Sequence, residues 1–329
     1  MNFWILVLFL VGLFFYYLGS MIFAALANFK FHDYYLDEDL KYERRRPDGI
    51  PEDAFLVDFH CHTTASDGLL EPHQLVLWSI ANGYDGLVVS DHNTMENVQA
   101  VKDAANDINP SFLVIPGVEF TSMRVHLNLI GVQTPVEPKP GMVWCSKEKI
   151  KQAIDHAHEQ GGVVQFNHKD WYPYNVLKHL SREWWMEQGI DGWEVYNGFK
   201  FIDQEALDFI DQKKEIKTMY ASAGTDVHDP AKHYRVYTEV LTEDRTIDGV
   251  LNAVKQGKTR LHFEKEWRVN LDRPEKGKVK LNPDRQAYLK KTLLINWLGV
   301  SLFEGTHRWA IITFTILVIS LGVLLSFLV

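Results

Sequence analysis

Between residues 55 and 263 the chain alternates short, continuous apolar runs with segments of helical period. The apolar runs are FLVDF (55–59), GLVVS (86–90), FLVIPGV (112–118), HLNLIGV (126–132), GVVQFN (162–167), GWEVYN (192–197), MYASAG (219–224) and VYTEVL (236–241). Runs of this length suit strands covered on both faces, as in a mostly parallel sheet. Helical patterns lie between most of them. In KEKIKQAIDHAHEQGG (147–162), Ile150, Ala153, Ile154 and Ala157 fall at helical spacing before a Gly-Gly stop, and TIDGVLNAVKQGK (246–258) is similar. This βα alternation predicts an α/β, barrel-like fold.

The pattern changes at both ends. The stretch from Phe3 to Asn28 and the stretch from Trp309 to Val329 carry no charge. At about 1.5 Å per residue each is long enough for the roughly 30 Å hydrocarbon core of a bilayer. The first lacks a basic leader and a small-residue cleavage site, so it is expected to be retained. The expected organisation is a transmembrane helix (1–29), a juxtamembrane linker (30–54), a catalytic barrel (55–263), a connector (264–308) and a second transmembrane helix (309–329). Within the connector, TLLINWLGVSLFE (292–304) is apolar but too short to span; it is either an interfacial helix or one packed on the domain. Lys30, Lys41, Arg44, Arg45 and Arg46 follow the first span, and Lys290, Lys291 and Arg308 precede the second. The positive-inside rule then expects a two-pass protein of the cell membrane, with the catalytic domain cytoplasmic and both termini opposite.

Charge and cysteine content narrow the picture. The 329-residue chain has a formal net charge of −9. An acidic middle argues against a broad basic surface, so nucleic acid is not expected as an extended ligand. A local phosphate site stays open, because bound cations reverse the local field. Cys61 and Cys145 are the two cysteines and form no disulfide framework. Free thiols fit a reducing compartment.

Polar residues cluster where the predicted strands end. His60 and His62 end the first, Asp91 and His92 the second, Glu119 the third, His168 the fifth, and Asp226 and His228 the seventh; Asp67 follows the first histidine pair, and His126 opens the fourth. Strand ends meet on one face of an α/β barrel, where active sites lie. In extended chain, residues two apart point the same way, so His60 with His62 and Asp226 with His228 can each grip one centre while Cys61 and Val227 point away. A single strand-end histidine is ordinarily a hydrogen-bonded rim residue; number and topology make the case here. Six histidines and three carboxylates exceed the needs of one ion and fit two or three. The mixed imidazole and carboxylate set favours zinc, manganese or iron. Of the other histidines, His156 and His158 do not share a helix face. His32, His73, His179, His262 and His307 lack such company, and His233, near Arg235, is placed to line a rim.

In this order, DFHCHTTASDG, VVSDHNT, IPGVEF, HLNLIG, FNHK and GTDVH resemble the PHP (polymerase and histidinol phosphatase) superfamily over about residues 55–263. The resemblance implies a distorted (β/α)7 TIM-like barrel with a two- or three-metal site. Matched motif by motif, the implied metal ligands are His60, His62, Asp67, His92, Glu119, His126, His168, Asp226 and His228, with catalytic roles falling on Asp67, His126 and His228. Two branches are similar: compact phosphoesterases acting on nucleotides or short RNA, and carbaryl-hydrolase-like metallohydrolases. HLNLIG, WEVYNG and VLNAVKQGKTRL lean toward the second. Only 41 residues separate His126 from His168, too few for the inserted helical domain of nucleotide phosphatases.

These readings lead to a membrane-anchored, multinuclear metal-dependent hydrolase. Its expected chemistry is that of a phosphoesterase using a metal-bridged hydroxide, since cations lower the pKa of water toward neutrality. The same nucleophile attacks ester, amide or carbamate carbonyls, so the cluster alone does not choose the bond. A catalytically inactive sensor or scaffold is the remaining alternative, against which every ligand position is filled. Lys169, Arg235 and Asn197 are the candidate substrate contacts. Asp91 is read either as orienting a ligand or as a capping residue before Asn93 and Thr94, and Glu194 and Asn197 either line the site or simply end a strand. The expected substrate is phosphorylated or an ester; the anchors suggest that it is lipid-linked or that the protein joins a membrane complex, and serve equally well as a mere address.

Overall fold

A computed structural model describes residues 44, 46–68, 70–122, 125–137, 145–168, 180–198, 201–228 and 235–263. Both expected membrane helices, the connector, Lys169 and His233 lie outside the described residues. Among the described residues no helix is long and apolar enough to cross a membrane.

The elements run β1 (Leu56–Cys61), α1 (Pro72–Ala81), β2 (Gly86–Val89), α2 (Val98–Ile108), β3 (Leu113–Ser122), β4 (Val125–Ile130), α3 (Lys147–Glu159) and β5 (Val163–Phe166). They continue with α4 (Arg182–Gln188), β6 (Gly192–Asn197), β7 (Phe201–Ile202), α5 (Gln204–Lys213), β8 (Tyr220–Gly224), β9 (Val236–Val240), α6 (Ile247–Lys255) and β10 (Thr259–Phe263). The apolar runs fold as strands because both of their faces are covered: every residue of β1, β2, β4, β5 and β9 is buried. Side-chain caps set helix starts, as where Ser146 accepts a hydrogen bond from the Lys149 amide at the head of α3.

The ring of strands is mostly parallel, as expected, with one reversed strand and antiparallel strands added outside it. β1, β2 and β3 are parallel, as are β5, β6 and β8. β4 runs antiparallel to both neighbours, β3 and β5. β7 and β10 are strands the apolar pattern does not predict; they pair antiparallel with β6 and β9. Seven strands make a nearly closed ring in the order β1-β2-β3-β4-β5-β6-β8. Closure between β8 and β1 comes at the end that carries the histidines. There Cys61 bridges Val227 in parallel, and the Asp226 amide donates to the His60 carbonyl at 2.7 Å. Lower down, β9 pairs antiparallel with the start of β1 (Leu56 with Glu239, Val57 with Thr238). The Thr238 hydroxyl there accepts from the Ala223 amide and donates to its carbonyl.

Three apolar clusters hold this arrangement. One joins β1 and β2 to α1 and α2; it contains Cys61 and Val227, both turned away from the histidines as the spacing predicts. A second lies beneath α3, α4 and α5. The third brings Val57, Phe59, Val88, Ile115, Ile130, Val163 and Tyr220 together from six strands, so it fills the ring below the site; Val250, Leu251 and Val254 of α6 close it. These side chains are at most 7% exposed. Full burial of one such side chain contributes roughly 1.5–3 kcal/mol, so the floor beneath the polar residues is rigid.

Candidate metal centre

The residues singled out at the strand ends converge. The pairing of β1 with β2 slips between Asp58 and Cys61, a local irregularity of the kind that re-aims a side chain. It turns His60 and His62 to one side, their Nε2 atoms 3.0 Å apart. His92 follows β2 and bridges to Glu119 on β3. His126 stands near the start of β4. Because β4 is antiparallel, its start lies at the same end of the ring as the ends of β1, β2 and β3. His168 follows β5, and Asp226 and His228 follow β8.

Asp67 comes from the turn after His62, and Asp91 holds that turn. The Asp91 carboxylate accepts from the Thr63 amide (2.8 Å), the Thr63 hydroxyl (2.6 Å) and the Ser66 hydroxyl (2.6 Å). Of the two readings of Asp91, the structure therefore supports the organising one. Backbone conformation marks the same place. Asn93, His168 and Asp226 are the described non-glycine residues with positive φ, at 52°, 24° and 54°. Such conformations cost of order 1–3 kcal/mol each and persist where surroundings enforce them, typically at functional sites.

Glu119 and Asp226 tie the imidazoles together. Glu119 Oε1 lies 3.3 Å from His60 Nε2, 3.1 Å from His126 Nδ1 and 3.4 Å from His168 Nε2, and its Oε2 lies 2.7 Å from His92 Nδ1. Asp226 Oδ1 is 3.3 Å from His60 Nε2 and 3.0 Å from His62 Nε2. Asp67 Oδ1 is 3.0 Å from His228 Nε2 and 3.4 Å from His92 Nε2. His60, His62 and Glu119 side chains are wholly buried, whereas those of His92 and His228 are 21% and 22% exposed; the cluster is reached from the His92–His228 side.

The electrostatics follow from charge crowded into a buried space. Burial alone would raise the carboxyls of Asp67, Glu119 and Asp226, but the surrounding imidazoles hold all three well below the usual range. Burial, reinforced by His228 and His92, pushes His62 down to about 3, and burial takes His126 to about 4. His228 moves the other way, to about 9, because Asp67 and Asp226 outweigh its burial. Burial raises Asp58, below the site, to about 7 despite its bonds to the Thr225 hydroxyl and amide.

This donor set fits metal ions. The donor atoms of His62, Asp67, His92 and His228 lie within 4.8 Å of one another, and so do those of His60, His62 and Glu119, and of His92, Glu119 and His126. Ligands about 2.0–2.2 Å from one ion stand about 3–3.5 Å apart, the range seen here. The ion-pair partners of Asp67, Glu119 and Asp226 among the described residues are histidines. The Cys61 thiol instead donates to the Val88 carbonyl.

The substrate contacts fare differently. Asn197 is 1% exposed, and its amide donates to Glu194 (3.0 Å) and Asp226 (3.2 Å). It braces these two carboxylates at the edge of the cluster. Arg235 precedes β9, and its charge acts on the Tyr84 hydroxyl within the aromatic core. His262, read as solitary, pairs with Glu239 at 2.8 Å. Sequence reasoning missed Asn167, whose amide donates to Glu119 Oε1 at 2.7 Å and to Asn128 Oδ1 at 3.0 Å. Its place beside His168 in FNHK was the available signal.

No protein-family model matches the chain. Among curated proteins it is similar to the 5'-3' exoribonuclease Rnm of Salmonella typhimurium, 36% identical over 113 residues, 34% of this chain and 37% of the relative. It is also similar to the 5'-3' exoribonuclease of Haemophilus influenzae (38% over 65 residues, 20% of this chain and 23% of the relative). The Rnm of Escherichia coli gives 33% over 85 residues, 25% of this chain and 29% of the relative. The matches thus span about a quarter to a third of the relatives' length. Among solved structures, a two-domain protein of Bacteroides vulgatus containing a predicted PHP-like metal-dependent phosphoesterase superposes with a TM-score of 0.53 at 21% identity, covering 69% of each chain. That likeness establishes a shared fold. None of these relatives is a carbaryl hydrolase.

Proposed function

We propose that the chain is a PHP-type metal-dependent hydrolase of phosphoric esters. The observation that carries the proposal is the convergence of six imidazoles and three carboxylates, from strands of both directions, on one cluster at one end of the barrel. The named activities of the curated relatives, hydrolysis of RNA phosphodiesters, support the choice of phosphorus over a carbonyl.

In this reading His60, His62, Glu119 and Asp226 form the buried half of a two- or three-ion site, and Asp67, His92 and His228 form its open half; His126 and His168 close the flank beside Glu119. When bound, divalent zinc, manganese or iron supplies charge for the phosphoryl oxygens and acidity to a coordinated water. The chain's own part is to prepare the donors. His228 Nδ1 lies 2.8 Å from the Asp226 carbonyl, to which it donates; this leaves Nε2 as the ligand atom facing Asp67. His62 and His126, neutral at pH 7, present lone pairs without first losing a proton. The exposed edge at His92 and His228 admits the phosphate.

The test is metal analysis of the purified protein followed by a substrate panel: bis-p-nitrophenyl phosphate, p-nitrophenyl phosphate, p-nitrophenyl acetate and a 5'-phosphorylated RNA oligonucleotide. Metal-dependent turnover of a phosphate ester, abolished in His60→Ala and Asp226→Ala, is expected. Turnover of the acetate alone would move the assignment to carboxylic esters, and bound metal without turnover of any substrate would favour a sensor.

We also propose that the two uncharged terminal stretches anchor this hydrolase in a membrane, a reading supported by their length and flanking basic residues. Recovery of the full chain in the soluble fraction after cell lysis would overturn it.

A further inference from the structure

We infer that Glu194 is a positioning residue, fixing His60 and His168 around the metal centre without itself taking an ion. The inference rests on the metal-dependent reading above. Glu194 lies on β6 at the point where its pairing with β8 slips, and its side chain is fully buried. Its two oxygens divide the work. Oε1 lies 2.9 Å from His60 Nδ1. Oε2 accepts from the His168 amide at 2.8 Å and from Asn197 Nδ2 at 3.0 Å.

Each bond has a consequence for the site. Of the carboxylates around His60, Glu194 is the nearest, 2.9 Å from Nδ1 against 3.3 Å for each of the two that face Nε2, so Nδ1 donates its hydrogen to Glu194 and Nε2 is the ligand atom. That atom faces His62 Nε2 (3.0 Å), Glu119 Oε1 (3.3 Å) and Asp226 Oδ1 (3.3 Å). The bond to the His168 amide holds a residue whose φ of 24° is unfavourable for a side chain with a Cβ. That backbone turn aims His168 Nε2 at Glu119, 3.4 Å away. Asn197 links Glu194 to Asp226 Oδ2 at 3.2 Å, which joins the two supports.

A competing assignment is visible in the same geometry, because the donor atoms of His60, His168 and Glu194 also lie within 4.8 Å of one another. It requires His60 to present Nδ1 to an ion while Nε2 faces the other ligands. The bonds already made also argue against it: Glu194 Oε1 stands at hydrogen-bond distance from His60 Nδ1, and Oε2 is taken by the His168 amide and Asn197.

The experiment titrates manganese(II) alone into the metal-stripped full chain by calorimetry and counts bound ions at saturation, for the parent protein, Glu194→Gln and Asn197→Ala. Glu194→Gln is expected to bind the parental number of ions with affinity lowered about 10–100-fold, the usual effect of losing a partner that orients a ligating histidine. Phosphate-ester turnover should return as manganese is raised. Asn197→Ala should shift affinity in the same direction by less. One ion fewer at saturation in Glu194→Gln would make Glu194 a ligand and overturn the inference. Parental affinity in Glu194→Gln would also overturn it. If that variant does not fold, parental affinity in Asn197→Ala overturns it instead. Failure of the parent protein to bind manganese would instead remove the metal-dependent reading itself.

Discussion

Thr121 and His126 stand opposite each other in the antiparallel pairing of β3 with β4, and this register brings His126 Nδ1 to 3.1 Å from Glu119 Oε1. His126 thus enters the cluster from the opposite chain direction to the other histidines. Its side chain is 10% exposed and sits over Glu119 rather than in the apolar floor. His126→Ala is therefore expected to leave the thermal midpoint of the metal-free protein nearly unchanged. Manganese affinity should fall by about 100-fold or more, since loss of a ligand exceeds the 10–100-fold cost of losing a mere orienting partner. Calorimetric titration beside a thermal melt checks both halves.

Asn167 offers the reverse case, a residue with no expected ligand role but a large structural one. It donates to Glu119 and Asn128, while its own oxygen accepts from Gln165 Nε2 at 3.0 Å. Gln165 accepts in turn from the Ser222 hydroxyl. All of these groups are buried. Asn167→Ala strands at least one of them, at a cost of about 1–3 kcal/mol. Urea denaturation of the metal-free protein should show that loss, and an unchanged midpoint would refute the account of this network.

Much of the fold was legible because β1, β2, β5, β6 and β8 are covered on both faces, and continuous apolar runs report that directly. Strand direction was not legible. HLNLIGV has the same composition read either way, and the two residues between Ser122 and Val125 are Met and Arg, not the Asn-Gly or Asp-Gly pair that signals a hairpin in a sequence. β7 has two residues, and β10, as TRLHF, mixes charge with apolar positions, so neither gave a pattern. At the site, the metal-type residues were readable from their spacing, because i and i+2 share a face. The residues that orient them were not. Besides near neighbours in sequence, Glu194, Asn167 and Asp58 act through partners 26 to 167 positions away, and nothing local in the sequence encodes those distant pairings.

Gly224 tests how tightly the β8–β1 closure is built. A Cβ at this position would meet His60 Cβ at 2.3 Å and the His60 amide nitrogen at 3.0 Å, and neither atom is the free end of a flexible side chain. Gly224→Ala must push β1 and β8 apart at the height of the metal centre. The expected result is a loss of about 1–3 kcal/mol in stability, as in other overpacked cores. Weaker metal binding should accompany it, because His60 moves. Gly161→Ala is the informative comparison. It has open space around it but a φ of 78°, so it should lose stability without losing metal affinity. Equal metal affinity in both variants would contradict the close packing at Gly224.

Metal occupancy should also reverse the response of stability to alkali. In the metal-free chain Asp67 and Asp226 raise His228 to about 9, against about 6.5 for an unfolded histidine. Between those values the folded chain holds the extra proton, so the stabilisation is complete below about pH 6.5 and is lost as pH rises through about 9. His60 and His92, raised well above their usual range by neighbouring carboxylates that outweigh burial, act in the same direction. On the acid side His62 and His126 have the opposite sign: they are neutral in the folded chain, and their contribution falls as pH drops from about 6.5 toward 3 to 4. A metal ion coordinated through His228 Nε2 requires that nitrogen to be unprotonated, which removes the alkaline loss. It adds stability of its own, about 4 kcal/mol at a free concentration a thousandfold above its dissociation constant. Urea midpoints measured from pH 6.5 to 9 should therefore decline with chelator present and stay level with manganese present. His228→Asn should make the chelated profile shallower, leaving the part that His60 and His92 contribute. Identical slopes with and without metal would mean that His228 does not bind through Nε2, and the open half of the site would have to be redrawn around Asp67 and His92.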